Sequence, residues 1–155
     1  YKEIFPLIKE NKIMLGYGMG RAVSGFIVPQ YYDLHGTEAR IENGKRIVST
    51  NQCLWYTNIP LKKLDEELHL TCSYSPELYP HYDNYDAIEV SKTARIPYDY
   101  DGVMGVPITF LDKYSPKQFE IIGNAGSYGI DGYSLCPALY INGNKIFKRL
   151  LIRRK

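Results

Sequence analysis

Pro137-Ala138-Leu139-Tyr140-Ile141-Asn142-Gly143-Asn144-Lys145-Ile146-Phe147-Lys148-Arg149-Leu150-Leu151-Ile152-Arg153 decides the fold class. Two β-rich runs flank Asn142-Gly143, a dipeptide that adopts the positive φ values of a type I′ turn with little strain. The stretch therefore reads as a hairpin, with Pro137 to Ile141 as one strand and Asn144 to Arg153 as the other. The same signal occurs upstream, where Thr37 to Glu42 and Lys45 to Thr50 flank Asn43-Gly44. Lys12-Ile13-Met14-Leu15-Gly16 and Gly25-Phe26-Ile27-Val28-Pro29 read as short buried strands, the second stopped by proline. Cys53 to Ile59 has the aromatic and β-branched content of a strand, and so does Phe119 to Gly123, which leads into a Gly/Ser/Tyr-rich loop from Asn124 to Ser134. Helical signals are few. Tyr1, Ile4, Phe5 and Ile8 share a face at helical spacing, with Pro6 tolerable in a first turn. Leu61 to Leu70 fits a short amphipathic helix or an extended linker, and Ser73 to Tyr85 reads as a loop. The expected fold class is α/β, a mixed sheet rich in antiparallel hairpins, with residues 1–155 forming a single domain.

The 155 residues are 45% hydrophobic and 23% charged, which suits one compact domain with a real core. Lys plus Arg total 19 against 17 Asp plus Glu, a net charge of +2, so any DNA affinity must come from local patches. Three cysteines without a CxxC pair argue against a disulfide scaffold and suit a reducing, cytoplasmic compartment. No apolar run approaches the roughly 18–20 residues that span a bilayer, so no membrane partner is expected. The chain begins at Tyr1 without an initiator Met, and the expectation is a piece of something larger. Fifteen tyrosines are the compositional oddity. They suit half-exposed strand positions, and equally the holding of bases or sugars.

Several segments invite specific chemistry. Leu15-Gly16-Tyr17-Gly18-Met19-Gly20 follows an apolar strand as a nucleotide-binding loop does, but Ala22 to Val28 looks extended where a helix is needed, and Glu38 is the best acidic partner by spacing. Tyr82-Asp83-Asn84-Tyr85-Asp86-Ala87-Ile88-Glu89-Val90-Ser91-Lys92 has the ingredients of a Mg²⁺-dependent nuclease. Two residues separate Glu89 from Lys92, however, which puts them on opposite faces of a strand. Asp99-Tyr100-Asp101-Gly102 fails as a calcium loop because Pro97 and Ile108 stand where carboxylates belong. His69, Cys72 and His81 offer three zinc ligands and no fourth. Ser24 lacks the first glycine of a nucleophile elbow. Lys145 to Lys155 carries six basic residues and no acid. As one strand it would set Lys145, Arg149 and Arg153 on a common face, suited to phosphates or to a charged edge that deters strand addition.

Tyr1 to Ile8, Cys53 to Ile59, Tyr82 to Val90, Asp99 to Tyr114, Phe119 to Gly123, and Asn142-Gly143 with Lys148 to Lys155 together resemble the C-terminal part of the EcoRI-type adenine-specific DNA methyltransferase family. The resemblance implies the C-terminal portion of a Rossmann-like, S-adenosylmethionine-dependent fold that moves a methyl group to N6 of adenine. It implies double-stranded DNA as partner, and S-adenosylmethionine bound mainly by parts not in this chain. The family's Asn-Pro-Pro-Phe motif is absent here, since no two of the nine prolines are adjacent. No catalytic, cofactor-binding or metal residue is assigned. Lys148, Arg149, Arg153 and Arg154 are the expected phosphate contacts. Trp55 or Tyr56 is expected near a base or cofactor, with Trp55 otherwise a core residue. A stand-alone nucleic-acid-binding module and the Mg-dependent nuclease are the rival readings.

Overall fold

A computed structural model describes residues 3–16, 25–33, 39–48, 55–126, 134–136 and 138–155. The chain divides into two compact units, Tyr1–Met14 with Asn58–Lys155, and Leu15–Thr57. Both junctions fall inside β-rich runs and not in a Pro- or Gly-rich linker, so the sequence carries no mark of them. Gly18, Gly20, Ser24, Glu38 and Cys53, which figured in the expectations above, lie outside the described residues.

The helix α1 (Ile4–Lys9) buries Phe5 and Ile8. Pro6 sits in its first turn, where the missing N–H has no intrahelical acceptor to lose. The helix stops at Asn11, whose left-handed φ of 57° lets its own N–H and that of Lys12 close on the Ile8 and Leu7 carbonyls.

β1 (Met14–Leu15) pairs with β5 (Tyr56–Thr57), and in the smaller unit β2 (Phe26–Ile27), β3 (Ala39–Glu42) and β4 (Lys45–Val48) form a sheet in the order β2-β4-β3. Asn43 and Gly44 take φ of 50° and 72°, and Glu42 pairs directly with Lys45, as a type I′ hairpin requires. Arg46 clamps the chain after β2 by donating from Nη1 to the carbonyls of Pro29 (3.4 Å), Gln30 (3.2 Å) and Tyr32 (2.7 Å). Two expectations are corrected here. Phe26 and Ile27 are exposed and not buried, because no second layer covers this sheet among the described residues; Trp55 is 56% exposed and is no core residue.

The larger unit holds β6 (Ile88–Glu89), β7 (Met104–Val106), β8 (Phe119–Ala125), β9 (Ser134–Cys136), β10 (Leu139–Ile141), β11 (Asn144–Ile146) and β12 (Arg149–Arg154). Five of these form a mixed sheet in the order β6-β7-β12-β8-β9, with β12 antiparallel to both neighbours and the two outer pairs parallel. The antiparallel character is as expected; the helical content is one six-residue α-helix and three 3-10 turns among the described residues. Leu150, Leu151 and Ile152 are all buried, the unalternating apolar pattern of a strand covered on both faces. Phe119 of β8 meets Phe110 edge to face at 5.2 Å. Between Leu151 and Ile152 the register with β8 slips by one residue, leaving Ile122 unmatched, and Lys9 of α1 donates to the Ile122 carbonyl at 3.0 Å.

The C-terminal hairpin forms where it was read, with Asn142 and Gly143 at φ of 50° and 76°. Its second strand is shorter than expected. Phe147 and Lys148 interrupt it, so β11 stays with β10 in a separate two-stranded ribbon while β12 enters the centre of the large sheet. Lys145 therefore shares no strand face with Arg149 and Arg153, and the charged-edge reading fails because β12 is not an edge. The ribbon is held by two side chains from the loop before β6. Asp83 accepts from the N–H groups of Asn142 (3.1 Å) and Gly143 (2.8 Å), and Asn84 bonds both Tyr140 N and Ala138 O.

Gly105 stands opposite Glu89 on one side and Leu151 on the other. A Cβ there would overlap the Tyr82 hydroxyl, which is buried and cannot step aside. Gly105→Ala is expected to destabilise by about 1–3 kcal/mol, seen as a lower urea midpoint at unchanged slope, and Tyr82→Phe in the same chain should recover part of the loss.

Candidate nucleic-acid interface

Ala87-Ile88-Glu89-Val90 carries one acid inside an apolar run, and the fold buries all four. A carboxylate taken from water needs a charged, hydrogen-bonding partner. Arg149, the first residue of β12, supplies it across β7. Its Nη2 lies 2.6 Å from Glu89 Oε1 and its Nε 3.0 Å from each oxygen, with the two side chains only 13% and 10% exposed. Tyr82 donates its hydroxyl to Glu89 Oε2. Burial, then the Glu89 acceptor, push the Tyr82 phenol above its usual value, so it remains a donor at neutral pH. Arg149 Nη1 turns back to the carbonyls of Phe147 (3.3 Å) and Lys148 (3.2 Å), fixing the bend between β11 and β12.

The four expected phosphate contacts thus have different surroundings. Arg149 is held inside by Glu89. Arg153 pairs with Glu120 at 2.9 Å and Arg154 with Asp101 at 3.5 Å; both pairs reach solvent, are worth roughly 0–1 kcal/mol, and can yield to a competing anion. Lys148 is exposed and has no acidic partner among the described residues. Arg153 and Arg154 stand at the far end of β12, roughly 17–20 Å from Lys148 at about 3.3 Å per residue. The sequence run is therefore two separate basic points, with buried Leu150 to Ile152 between them. Beside Lys148, Phe147 is 77% exposed and borders a cleft of about 230 Å³ that Phe5, Ile108 and Leu150 make apolar and Asn124 and Arg149 make polar. From the sequence, Phe147 is one apolar residue among basic ones, with no role of its own. The Glu89–Arg149 pair was equally missed, although a lone acid among apolar residues was its available signal.

The other constellations do not assemble. Asp83 caps a turn and Glu89 is paired, so two of the three carboxylates in the nuclease segment are committed elsewhere. Asp99 accepts from Tyr74 N at 2.6 Å. Among the described residues, no group of three His, Cys, Asp or Glu is placed to hold a metal, which removes the zinc trio. No helix among them is long and apolar enough to cross a membrane. Trp55 and Tyr56 belong to the smaller unit, Trp55 facing solvent.

A family model described as adenine-specific methyltransferase EcoRI matches residues 1–155. The Escherichia coli Type II methyltransferase M.EcoRI is 55% identical over 158 residues, covering 100% of this chain and 47% of that protein. M.MgeORF184P of Mycoplasma genitalium is 38% identical over 127 residues and M.MpnI of Mycoplasma pneumoniae 33% over 126, each covering 79% of this chain and 40% of the relative. The chain spans less than half the length of these relatives. No solved structure gives a significant match.

Glu89→Ala strands the Arg149 guanidinium and is expected to cost about 3–5 kcal/mol, with Glu89→Ala plus Arg149→Met less damaging than the single change; chemical denaturation of the four chains in the cycle reads this. Tyr82 has its folded pKa raised, so its contribution is fully present below pH about 10. Above that the unfolded chain releases a proton that the folded one keeps, and stability falls. Tyr114, buried and pushed up to about 12, acts in the same direction. Unfolding free energy measured from pH 8 to 12 should decline, and the decline should be shallower in Tyr82→Phe.

Proposed function

The chain belongs to the EcoRI family of adenine-specific methyltransferases, and from that membership we propose that it is the part of a DNA adenine N6-methyltransferase that completes the catalytic sheet and meets double-stranded DNA. The observation that carries the reading is the family match over all 155 residues. Methyl transfer to the exocyclic nitrogen requires the adenine to leave the duplex stack. Its amino group then needs amide or carbonyl acceptors to aim the lone pair, and a ring to hold the base. The Asn-Pro-Pro-Phe motif that does this work in the family is not among these residues, so none of them is given the chemical step.

The finer fold reading is a Rossmann-like sheet. Its support is the course of β12, which returns antiparallel between β7 and β8 after both have been laid down. S-adenosylmethionine supplies the methyl group. The cleft beside Phe147 does not fit that cofactor. Its volume of about 230 Å³ is under the roughly 300–1,000 Å³ of small-molecule sites. No free carboxylate lines it for a ribose diol, and Lys148 at its mouth repels a sulfonium. An exposed aromatic ring beside a cation suits instead a nucleotide at the DNA surface, stacked on Phe147 with its phosphate on Lys148. Arg153 and Arg154 serve as a second phosphate point, and Arg149 supports Lys148 by fixing the bend that presents it.

The full-length methyltransferase containing these residues is expected to transfer labelled methyl from S-adenosylmethionine to adenine N6 in duplex DNA; label on cytosine, or none, sinks the reading. Lys148→Ala should weaken duplex binding and lower the slope of log Kd against log salt by about 1. Arg153→Ala with Arg154→Ala should lower it by up to about 2.

A further inference from the structure

The Glu89–Arg149 pair separates two clefts. Arg149 lines the one beside Phe147, and Glu89 lines another, of about 450 Å³, that opens where the chain leaves β6. Thr71, Ser73, Ser91 and Arg95 bring three hydroxyls and a guanidinium to this second cleft. The mounting of Arg95 is firm. It ends the 3-10 turn Thr93–Arg95, its N–H closes on the Lys92 carbonyl at 2.9 Å, and its own carbonyl accepts from the buried Tyr79 hydroxyl at 2.8 Å. The facing segment is pinned as well, since Tyr98 N–H donates to the Cys72 carbonyl at 2.9 Å.

The heads of these side chains are not engaged. Arg149, Arg153 and Arg154 each face an acid, whereas the Arg95 guanidinium has no acidic partner and the Thr71, Ser73 and Ser91 hydroxyls no side-chain partner among the described residues. The one carboxylate in the wall does not cancel Arg95, because both oxygens of Glu89 are occupied by Arg149 and Tyr82. Lys92, at the start of the same turn, is exposed and adds positive charge. A planar, always charged fork beside hydroxyl donors matches the oxygens of a tetrahedral anion.

We propose that this cleft binds a phosphoryl group, with Arg95 supplying the charge and Thr71, Ser73 and Ser91 donating to its oxygens. The group comes from the backbone of duplex DNA, in which case the site rests on the methyltransferase reading, or from free phosphate. The test uses the full-length protein with Arg95→Gln, an exposed position whose change leaves the core intact, and Arg95→Lys as the conservative variant. If the backbone is the source, Arg95→Gln weakens duplex binding about tenfold and lowers the salt slope by about 0.9, and Arg95→Lys restores the slope but not the whole affinity. If free phosphate is the source, duplex binding is unchanged, and millimolar inorganic phosphate shifts the Arg95 Nε–H resonance of the wild-type protein. The absence of both responses overturns the proposal, while duplex binding and methyl transfer by the wild type in the same series leave the methyltransferase reading standing. Loss of those two wild-type activities counts against that reading alone, because the phosphate titration reads the cleft directly.

Discussion

A carboxylate buried in the sheet is the constraint on which the larger unit is arranged. Glu89 points to the same face as Gly105, Leu151 and Arg149, since strand partners in register project together. To reach Glu89 from β12, the Arg149 side chain must pass over β7. Gly105 leaves that space, and the Tyr82 hydroxyl occupies what remains of it. Breaking such a pair strands a charge in a medium that cannot solvate it. β6, β7 and the start of β12 are thereby locked to one another by a single network of three polar side chains.

That lock has consequences for the surface. Arg149 is withdrawn from solvent, and its remaining donors bend the chain at Phe147 and Lys148, leaving an aromatic ring and an amine exposed together. The loop that delivers Tyr82 continues into Asp83 and Asn84, which hold the β10–β11 ribbon. The same short segment thus anchors the buried pair and positions the ribbon that precedes the bend. On the proposed reading, duplex DNA must meet surfaces held still relative to one another, and charge pairing inside the sheet is one way to hold them.

Tyrosine stands both in the core and on the surface of this chain. Tyr79, Tyr82 and Tyr114 are buried, each donating its hydroxyl: to the Arg95 carbonyl, to Glu89, and to Asn11 Oδ1 at 2.9 Å. Tyr31, Tyr32 and Tyr98 are exposed. A ring with a polar tip can fill a core provided the tip finds an acceptor, and that condition is met at all three buried sites.

The local features were legible in the amino-acid order. Asn43-Gly44 and Asn142-Gly143 turn because their own backbones favour positive φ, Pro6 falls in a first turn because its ring requires it, and Phe119 onward forms a strand from its own β-formers. Family membership was legible too, carried by blocks spread over the whole length. Other features depend on neighbours distant in sequence. Whether Arg149 meets a phosphate or a carboxylate is decided by Glu89, sixty residues away, and whether Lys145 to Arg154 runs as one strand is decided by the opening between β7 and β8. Phe26, Ile27 and Trp55 have core-like side chains, yet among the described residues no second layer covers them. Hydrophobic pattern and turn chemistry act over a few residues, whereas desolvation and charge pairing are settled only when the whole chain has chosen which surfaces face each other.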